Sequence, residues 1–270
     1  MRILLRNLRL LAVTLPGALL CACRGSERPL RLGASLTVQQ SGALAVLESL
    51  WTGAPLAVAL GPSGQILRAA ADGNLDVVIT QAPTLEARLL GDARAVLRCP
   101  LVASRFVLVG PSADPARVAG APTPADAFRR IAQAGEPFVS RGDSSGTHVK
   151  ELELWRAAGV DPRGHAWYLE SGADQPTTLR IADERDGYAL ADLPTFIKVA
   201  DLRLRVLLTG DTGWENPYTL YVVRVPQPHP AALAFASWAV HAGRAGVLGL
   251  RLPDGTPAFH ALAGDCATPE

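Results

Sequence analysis

Ser140-Arg141-Gly142-Asp143-Ser144-Ser145-Gly146-Thr147-His148 is the densest polar stretch of the chain. It lies between a short apolar run, Pro137–Ser140, that reads as a strand, and a helical pattern that begins near Gly146 and ends at Gly159. Glycines and small hydroxyl residues at a strand-to-helix turn expose backbone N–H groups. The helix N-terminus adds a partial positive charge. Arg141 adds a full one, with donors in a planar fork. Such a turn can hold an oxyanion. A plainer reading stands beside it: Ser144 or Ser145 caps the helix and Arg141 pairs with Asp143. A serine cap is expected either way.

Two further turns share this character. Ala34–Gly42 follows the apolar run Leu30–Ser35, and Gly61-Pro62-Ser63-Gly64-Gln65 follows Leu56–Leu60. None contains the Gly-Lys-Ser/Thr of a phosphate loop. Strands are also expected at Asp76–Thr80 and Arg105–Gly110, with helices at Ala43–Trp51, Gln65–Ala71 and Leu85–Leu90. Strand alternating with helix predicts an α/β fold with a mainly parallel sheet. In such sheets ligands bind beyond the carboxyl ends of the strands, where these turns lie. Gly110–Pro124 lacks periodicity and reads as a crossing between domains. A second α/β block follows: helices at Pro124–Ala134, Gly146–Ala158, Thr177–Asp186, Pro194–Ala200 and Pro230–Val247, and strands at Tyr188–Leu190, Leu202–Leu208 and Thr219–Val225.

The chain has 270 residues, enough for one large domain or two small ones. Apolar residues make up 49% and charged residues 19%, which excludes a disordered chain. The net charge of +1 argues against a nucleic-acid partner held by general electrostatics. Arg2, Arg6 and Arg9 precede the apolar run Leu10–Leu20, the pattern of an export signal. That run is too short to span a membrane. Leu20-Cys21-Ala22-Cys23 resembles a bacterial lipoprotein cleavage box, with 1–22 as signal peptide, a lipid on Cys23 and 23–29 as a tether. Ordinary secretion of a soluble product is the competing reading. A lipid would hold the protein at a membrane surface without crossing it. In an oxidising compartment Cys99 and Cys266 could pair. No cysteine or histidine spacing marks a cation site.

Phe138–His148, with Glu151 and Trp155 downstream, resembles the signature of the tungstate-binding proteins of ABC importers. Gln40-Ser41-Gly42, Gly64-Gln65, Asp76–Pro83, Phe106–Pro111, Trp167–Glu170 and Asn216-Pro217-Tyr218 support the likeness, which runs from Leu30 to about Val247. It implies a type II periplasmic binding protein, with two α/β lobes, a hinge of two crossing strands and a ligand cleft between them. Lobe 1 would take 30–110 and 207–270, and lobe 2 would take 111–206. It also implies capture of a tetrahedral oxyanion, tungstate first and molybdate second, for delivery to an ABC permease by an exported monomer without cofactor. Arg141 would be the main charge partner. Ser35, Thr37 and Ser63 would donate from lobe 1, and Ser140, Ser145, Gly146 and Thr147 from lobe 2. Asp143 would support Arg141 or the turn, and His148 would be structural.

Several positions depart from the family pattern. Its first Thr/Ser run is Ala34-Ser35-Leu36-Thr37 here, and a common His is Gln81. The stretch near Gly172 is Ala173-Asp174-Gln175-Pro176, and a Thr-Asp-Arg-Gly-Thr-like stretch is Ala191–Thr195. The drift leaves open a related binding or sensor protein for sulfate, phosphate or an organic anion. An enzyme using Ser144 or Ser145 with His148 is disfavoured, because the local pattern is not Gly-x-Ser-x-Gly. Arg141-Gly142-Asp143 matches a cell-adhesion tripeptide by coincidence.

Overall fold

The computed structural model describes residues 28–210 and 213–269. The expected signal peptide, Cys23 and nearly all of the tether lie outside the described residues. Among the described residues, no helix is long and apolar enough to cross a membrane.

The chain opens with β1 (Leu30–Ser35), α1 (Leu36–Gln40), α2 (Ala43–Leu50), β2 (Leu56–Gly61), α3 (Ser63–Ala71), β3 (Val77–Thr80), α4 (Pro83–Leu89) and α5 (Gly91–Arg94). The apolar β1 pairs in parallel with β2 on one side and β3 on the other. Each of these strands delivers its carboxyl end to the same edge of the sheet. α1 occupies the first expected loop, because Ser35 caps it by accepting from the Val38 N–H. One turn of helix therefore stands where hydroxyl residues alone suggested coil.

The next strand, β4 (Ala95–Gly110), is the longest, with 16 residues. Reading for apolar runs finds only its second half, since Arg98, Pro100 and Ser104 interrupt the first. The strand absorbs Pro100 through a register shift between Pro100 and Val102. Beyond it come α6 (Pro124–Ala134), β5 (Phe138–Ser140), α7 (Gly146–Ala157), β6 (Tyr168–Glu170), α8 (Gln175–Glu184), β7 (Ala189–Asp192), α9 (Leu193–Lys198) and β8 (Arg205–Leu208). The chain returns through β9 (Glu215–Val223) to α10 (Ala232–Trp238), a π-helical segment at Ala239–Gly243, α11 (Arg244–Leu248) and β10 (His260–Ala261).

β4 joins two sheets. Its first part pairs antiparallel with β9 from Ala95 to Arg105, in the sheet ordered β10-β4-β9-β3-β1-β2. From Phe106 onward it pairs instead with β7 and β8. Phe106–Gly110 and all of β8 thus belong to the second sheet, across the boundaries 110/111 and 206/207 drawn from the sequence. The cores divide accordingly. Leu32, Val77, Leu220 and Phe235 share one cluster with Cys99, while Phe106, Phe128, Phe138 and Trp155 share another. In the second, Trp155 packs edge-on against Phe128 and Phe138 with centroids 4.6 and 5.1 Å apart, seating α7 against β5.

Cys99 on β4 is disulfide-bonded to Cys266, 167 residues away. Arg98 and Ala267 exchange backbone hydrogen bonds of 2.7 and 2.9 Å beside it, so the C-terminal segment lies along β4. A disulfide typically stabilises by about 2–4 kcal/mol, mainly by restricting the unfolded chain. Cys99→Ser with Cys266→Ser is expected to lower Tm by about 5–15 °C in a thermal melt. Reductant should produce the same fall in the wild type and none in the double variant.

Candidate functional site

The carboxyl ends of β1, β2 and β3 present Ser35, Ser63 and Gln81. All three side chains are at most 1% exposed. Ser63 opens α3 directly after Pro62, whose fixed φ suits the residue before a helix. Gln81 leaves β3 just before Pro83 opens α4. Its Oε1 accepts from Ser35 Oγ at 2.5 Å and Ser63 Oγ at 3.2 Å. The backbone on either side is fixed from behind by buried Glu86, whose Oε1 accepts from Thr80 Oγ1 and the Ala82 N–H. Thr37 lies in the first turn of α1, and its Oγ1 is buried without a partner.

Lobe 2 contributes the turn between β5 and α7. Gly142 adopts φ +61°, and a Cβ there would lie 2.8 Å from that of Glu170, so only glycine fits. Ser145 caps α7 by accepting from the His148 N–H at 3.2 Å. Asp143 bonds in two directions, accepting from the Ser145 N–H at 3.0 Å and pairing closely with Arg141 Nη2. Arg141 is 1% exposed, and its Nε donates to the Ala173 carbonyl at 3.1 Å. Its Nη1 has no partner, and neither does Thr147 Oγ1. Thus the cap and the Arg141–Asp143 pair are both present, and they still leave a guanidinium N–H unused.

The two halves meet. The Gly64 N–H donates to the Ser144 carbonyl at 3.0 Å across the seam. A Cβ at Gly146 would stand 2.3 Å from the Gln81 carbonyl oxygen and 2.8 Å from Gln81 Nε2. Gln40 Nε2 donates to Asp174 Oδ2 at 2.9 Å, Thr84 Oγ1 to Glu153 at 2.7 Å, and Lys198 Nζ to the Ser41 carbonyl at 2.7 Å. These bonds link residues of the first lobe to residues of the second, so the conformation is closed. A cavity of about 290 Å³ lies along the same seam, lined by Gln81, Gly146, Val149 and Glu153 among others.

The hinge has its own buried carboxylate. Asp192, at the end of β7, accepts from Ser104 on β4, from Asn216 on β9 at 2.9 Å, and from Thr195. Burial pushes its pKa up against those bonds. Under the anion-type turn lies Glu151, which accepts from Ser140 Oγ at 2.7 Å, Tyr168 OH at 2.7 Å and Trp155 Nε1 at 3.1 Å. Burial raises its pKa to about 7. Burial also lowers that of His148, whose Nδ1 accepts from the Ser144 N–H at 3.1 Å while Nε2 has no partner. Neither imidazole nitrogen meets a serine hydroxyl, so no nucleophile–base pair forms here.

All eight expected ligand residues lie on turns that meet at the seam. Among their side chains, Thr37, Arg141 and Thr147 keep an unpartnered polar atom, whereas Ser35 and Ser63 are engaged with Gln81 and Ser140 with Glu151. Reading by residue type omits Gln81, Glu151 and Asp192 from the site. The sequence singles out Gln81 only as a departure from the family pattern. Among the described residues, no group of three or more His, Cys, Asp or Glu side chains is placed to hold a metal cation.

Comparison with known proteins gives a consistent picture. The family described as PBP superfamily domain matches residues 25–242. A Haloferax volcanii protein, provisionally described as an ABC transporter anion-binding protein, is 36% identical over 79% of this chain. The tungstate-binding protein TupA of Peptoclostridium acidaminophilum is 33% identical over 67% of it. The matched stretches span 66% and 65% of those relatives' own lengths. The crystal structure of the tungstate ABC transporter from Geobacter sulfurreducens superposes with a TM-score of 0.68 at 35% identity, covering 84% of this chain and 96% of that one.

Glu151 yields a prediction with a definite sign. Its folded pKa lies above the ordinary carboxyl value, so the folded state holds a proton that the unfolded state releases first. Its contribution to stability is complete below about pH 4.5 and is lost as pH rises through about 7. Tm of the wild type should therefore fall more steeply between pH 5 and pH 7.5 than that of Glu151→Gln. Parallel profiles would show that the carboxyl is ionised throughout.

Proposed function

The chain belongs to the PBP superfamily, and we propose that it is the substrate-binding protein of an ABC importer that takes a tetrahedral oxyanion between its lobes. Tungstate, which the named relatives' descriptions carry, is the first candidate, and molybdate, nearly equal to it in size, charge and shape, is the second. We further propose an exported protein anchored through a lipid on Cys23, acting as a monomer and delivering its ligand to a membrane permease.

One observation carries the reading. Thr37 Oγ1, Gln81 Nε2, Arg141 Nη1 and Thr147 Oγ1 are buried without hydrogen-bond partners, on turns that meet where the lobes close. A buried polar group without a partner costs about 1–3 kcal/mol, and these, with Gln40 Oε1 and His148 Nε2 also unpartnered, favour a ligand that uses them. The N-termini of α3 and α7 flank the same place and favour negative charge. The charge of Arg141 is already matched by Asp143, so the anion would be held by N–H and O–H dipoles as much as by net charge. A dianion sequestered from water is tolerated only when fully hydrogen-bonded. Nothing in this arrangement requires a covalent step.

The test is calorimetric titration and thermal unfolding with tungstate, molybdate, sulfate and phosphate, each added separately. A ligand at 100 times its Kd stabilises by about 2.7 kcal/mol. That is a rise in Tm of roughly 5–10 °C for a chain of this size. One-to-one binding of tungstate is expected, and Arg141→Ala should weaken it by about 100-fold through loss of a buried charge-assisted contact. A response to sulfate or phosphate alone would reassign the ligand, and no response to any of the four would refute the oxyanion reading.

A further inference from the structure

The turn between β3 and α4 carries Gln81 to the seam, yet its own residues do little to hold it. Ala82 stands at the N-cap of α4 with no side chain able to cap it, and Pro83 follows with no N–H to give. Glu86, an acidic residue in the first turn of the helix, reaches back instead. Its Oε1 accepts from the Ala82 N–H at 2.9 Å and from Thr80 Oγ1 at 2.7 Å. Those two bonds grip the residues on either side of Gln81, whose carbonyl meets Gly146 of the other lobe.

The second carboxyl oxygen ties the turn to the large sheet. Glu86 Oε2 accepts from Tyr221 OH on β9 at 3.2 Å. Arg98, the cross-strand partner of Tyr221 on β4, donates from Nε to the tyrosine oxygen at 3.2 Å. An arginine can only donate, so the tyrosine oxygen accepts there and its one proton goes to Glu86. Glu86 is 1% exposed and Tyr221 4%. Burial pushes the Glu86 carboxyl up in pKa, and the charge of Arg98 acts against that. A line of hydrogen bonds thus runs from β4, the strand that joins the two sheets, to the turn at the seam. A cavity of about 480 Å³ adjoins it, bounded by Pro83, Glu86, Arg98, Tyr221 and the C-terminal Ala267–Pro269. With open volume on that side, hydrogen bonds rather than packing fix the carboxyl group. An apolar side chain in its place would leave the Thr80 hydroxyl and the Ala82 N–H without this acceptor.

Resting on the oxyanion reading above, we propose that Glu86 and Tyr221 are positioning residues for the anion site, which hold the Thr80–Ala82 segment where the lobes close and so set how long the ligand stays. They act through the backbone of the turn, so their effect belongs to closure and not to the identity of the anion.

Calorimetric titration with sodium tungstate, with release followed by stopped-flow tryptophan fluorescence, tests this on the wild type, Glu86→Met, Glu86→Gln and Tyr221→Phe. Each is measured well below its ligand-free Tm, where a loss of stability alone leaves Kd unchanged. Glu86→Met, similar in length but without an acceptor, should weaken tungstate by about 10- to 100-fold, mostly through faster release. Glu86→Gln still offers an oxygen to Thr80 and Ala82, and should stay within about threefold of the wild type. Tyr221→Phe, which removes only the hydroxyl between Arg98 and Glu86, should weaken binding by about three- to tenfold. Glu86→Met binding as tightly as the wild type would overturn the proposal. So would a loss confined to the association rate, or a Glu86→Gln as weak as Glu86→Met, which would make the charge and not the grip responsible. If Glu86→Met does not fold, Tyr221→Phe decides, and an unchanged Kd there overturns the proposal. Unaffected variants beside a wild type that binds tungstate sink the positioning role alone. A wild type that binds none of tungstate, molybdate, sulfate and phosphate removes the oxyanion reading and this proposal with it.

Discussion

Gly146 lies so close to the Gln81 carbonyl that even a methyl group would force the lobes apart. Everything else at the seam depends on that approach. It allows the Gly64 N–H to reach the Ser144 carbonyl, and it places the first turn of α7 against the end of β3. At Gly146 backbone meets backbone, with no room for a side chain between the lobes, and the cavity of about 290 Å³ opens beside that contact. Polar side chains there must find partners in the protein or in a ligand. The unpartnered atoms of Thr37, Gln81, Arg141 and Thr147 follow from this geometry.

The hinge lets so close a contact form and release. Two chain segments cross between the sheets, one within β4 and one leading into β9, and Asp192 ties both to β7 through Ser104 and Asn216. The knot is buried and nearly saturated with hydrogen bonds, so it defines an axis without contributing to the cleft. Motion about it would break the few seam bonds of Gln40, Thr84 and Lys198 while leaving both cores intact. Each core is its own cluster, which makes rigid lobes on a narrow connection the natural mode of movement.

Much of this was written locally in the chain. The strands and helices of the first lobe follow from short apolar runs and Gly/Pro punctuation. The β5–α7 turn announces itself because its glycines, hydroxyls and Arg141 sit within nine residues. What stayed hidden depends on partners far away in sequence. Gln81 is bonded to serines 46 and 18 residues earlier, and nothing adjacent to it signals those contacts. Glu151 belongs to the family-like stretch, but its buried, multiply bonded role appears only when Trp155 and Tyr168 pack around it. The first half of β4 is disguised by Arg98 and Pro100, since only the facing β9 shows that the ladder continues past them. The hydroxyls of Ser35, Ser63 and Ser140 show the same limit. Residue type marks them as donors, but only the fold shows that their protons go to other protein groups.

The β5–α7 turn is also complete within its own lobe. Arg141, Asp143, Ser145 and His148 bond to one another and to Ala173, and Glu151 braces them from beneath without help from the first lobe. Under the proposed function, that self-sufficiency would give capture an order. An arriving ion would settle on the second lobe while the cleft stood open, and the first lobe would then swing over it. The rate of encounter would belong to one lobe and the residence time to the other, so substitutions on the two sides of the seam would separate into slow loaders and fast leakers.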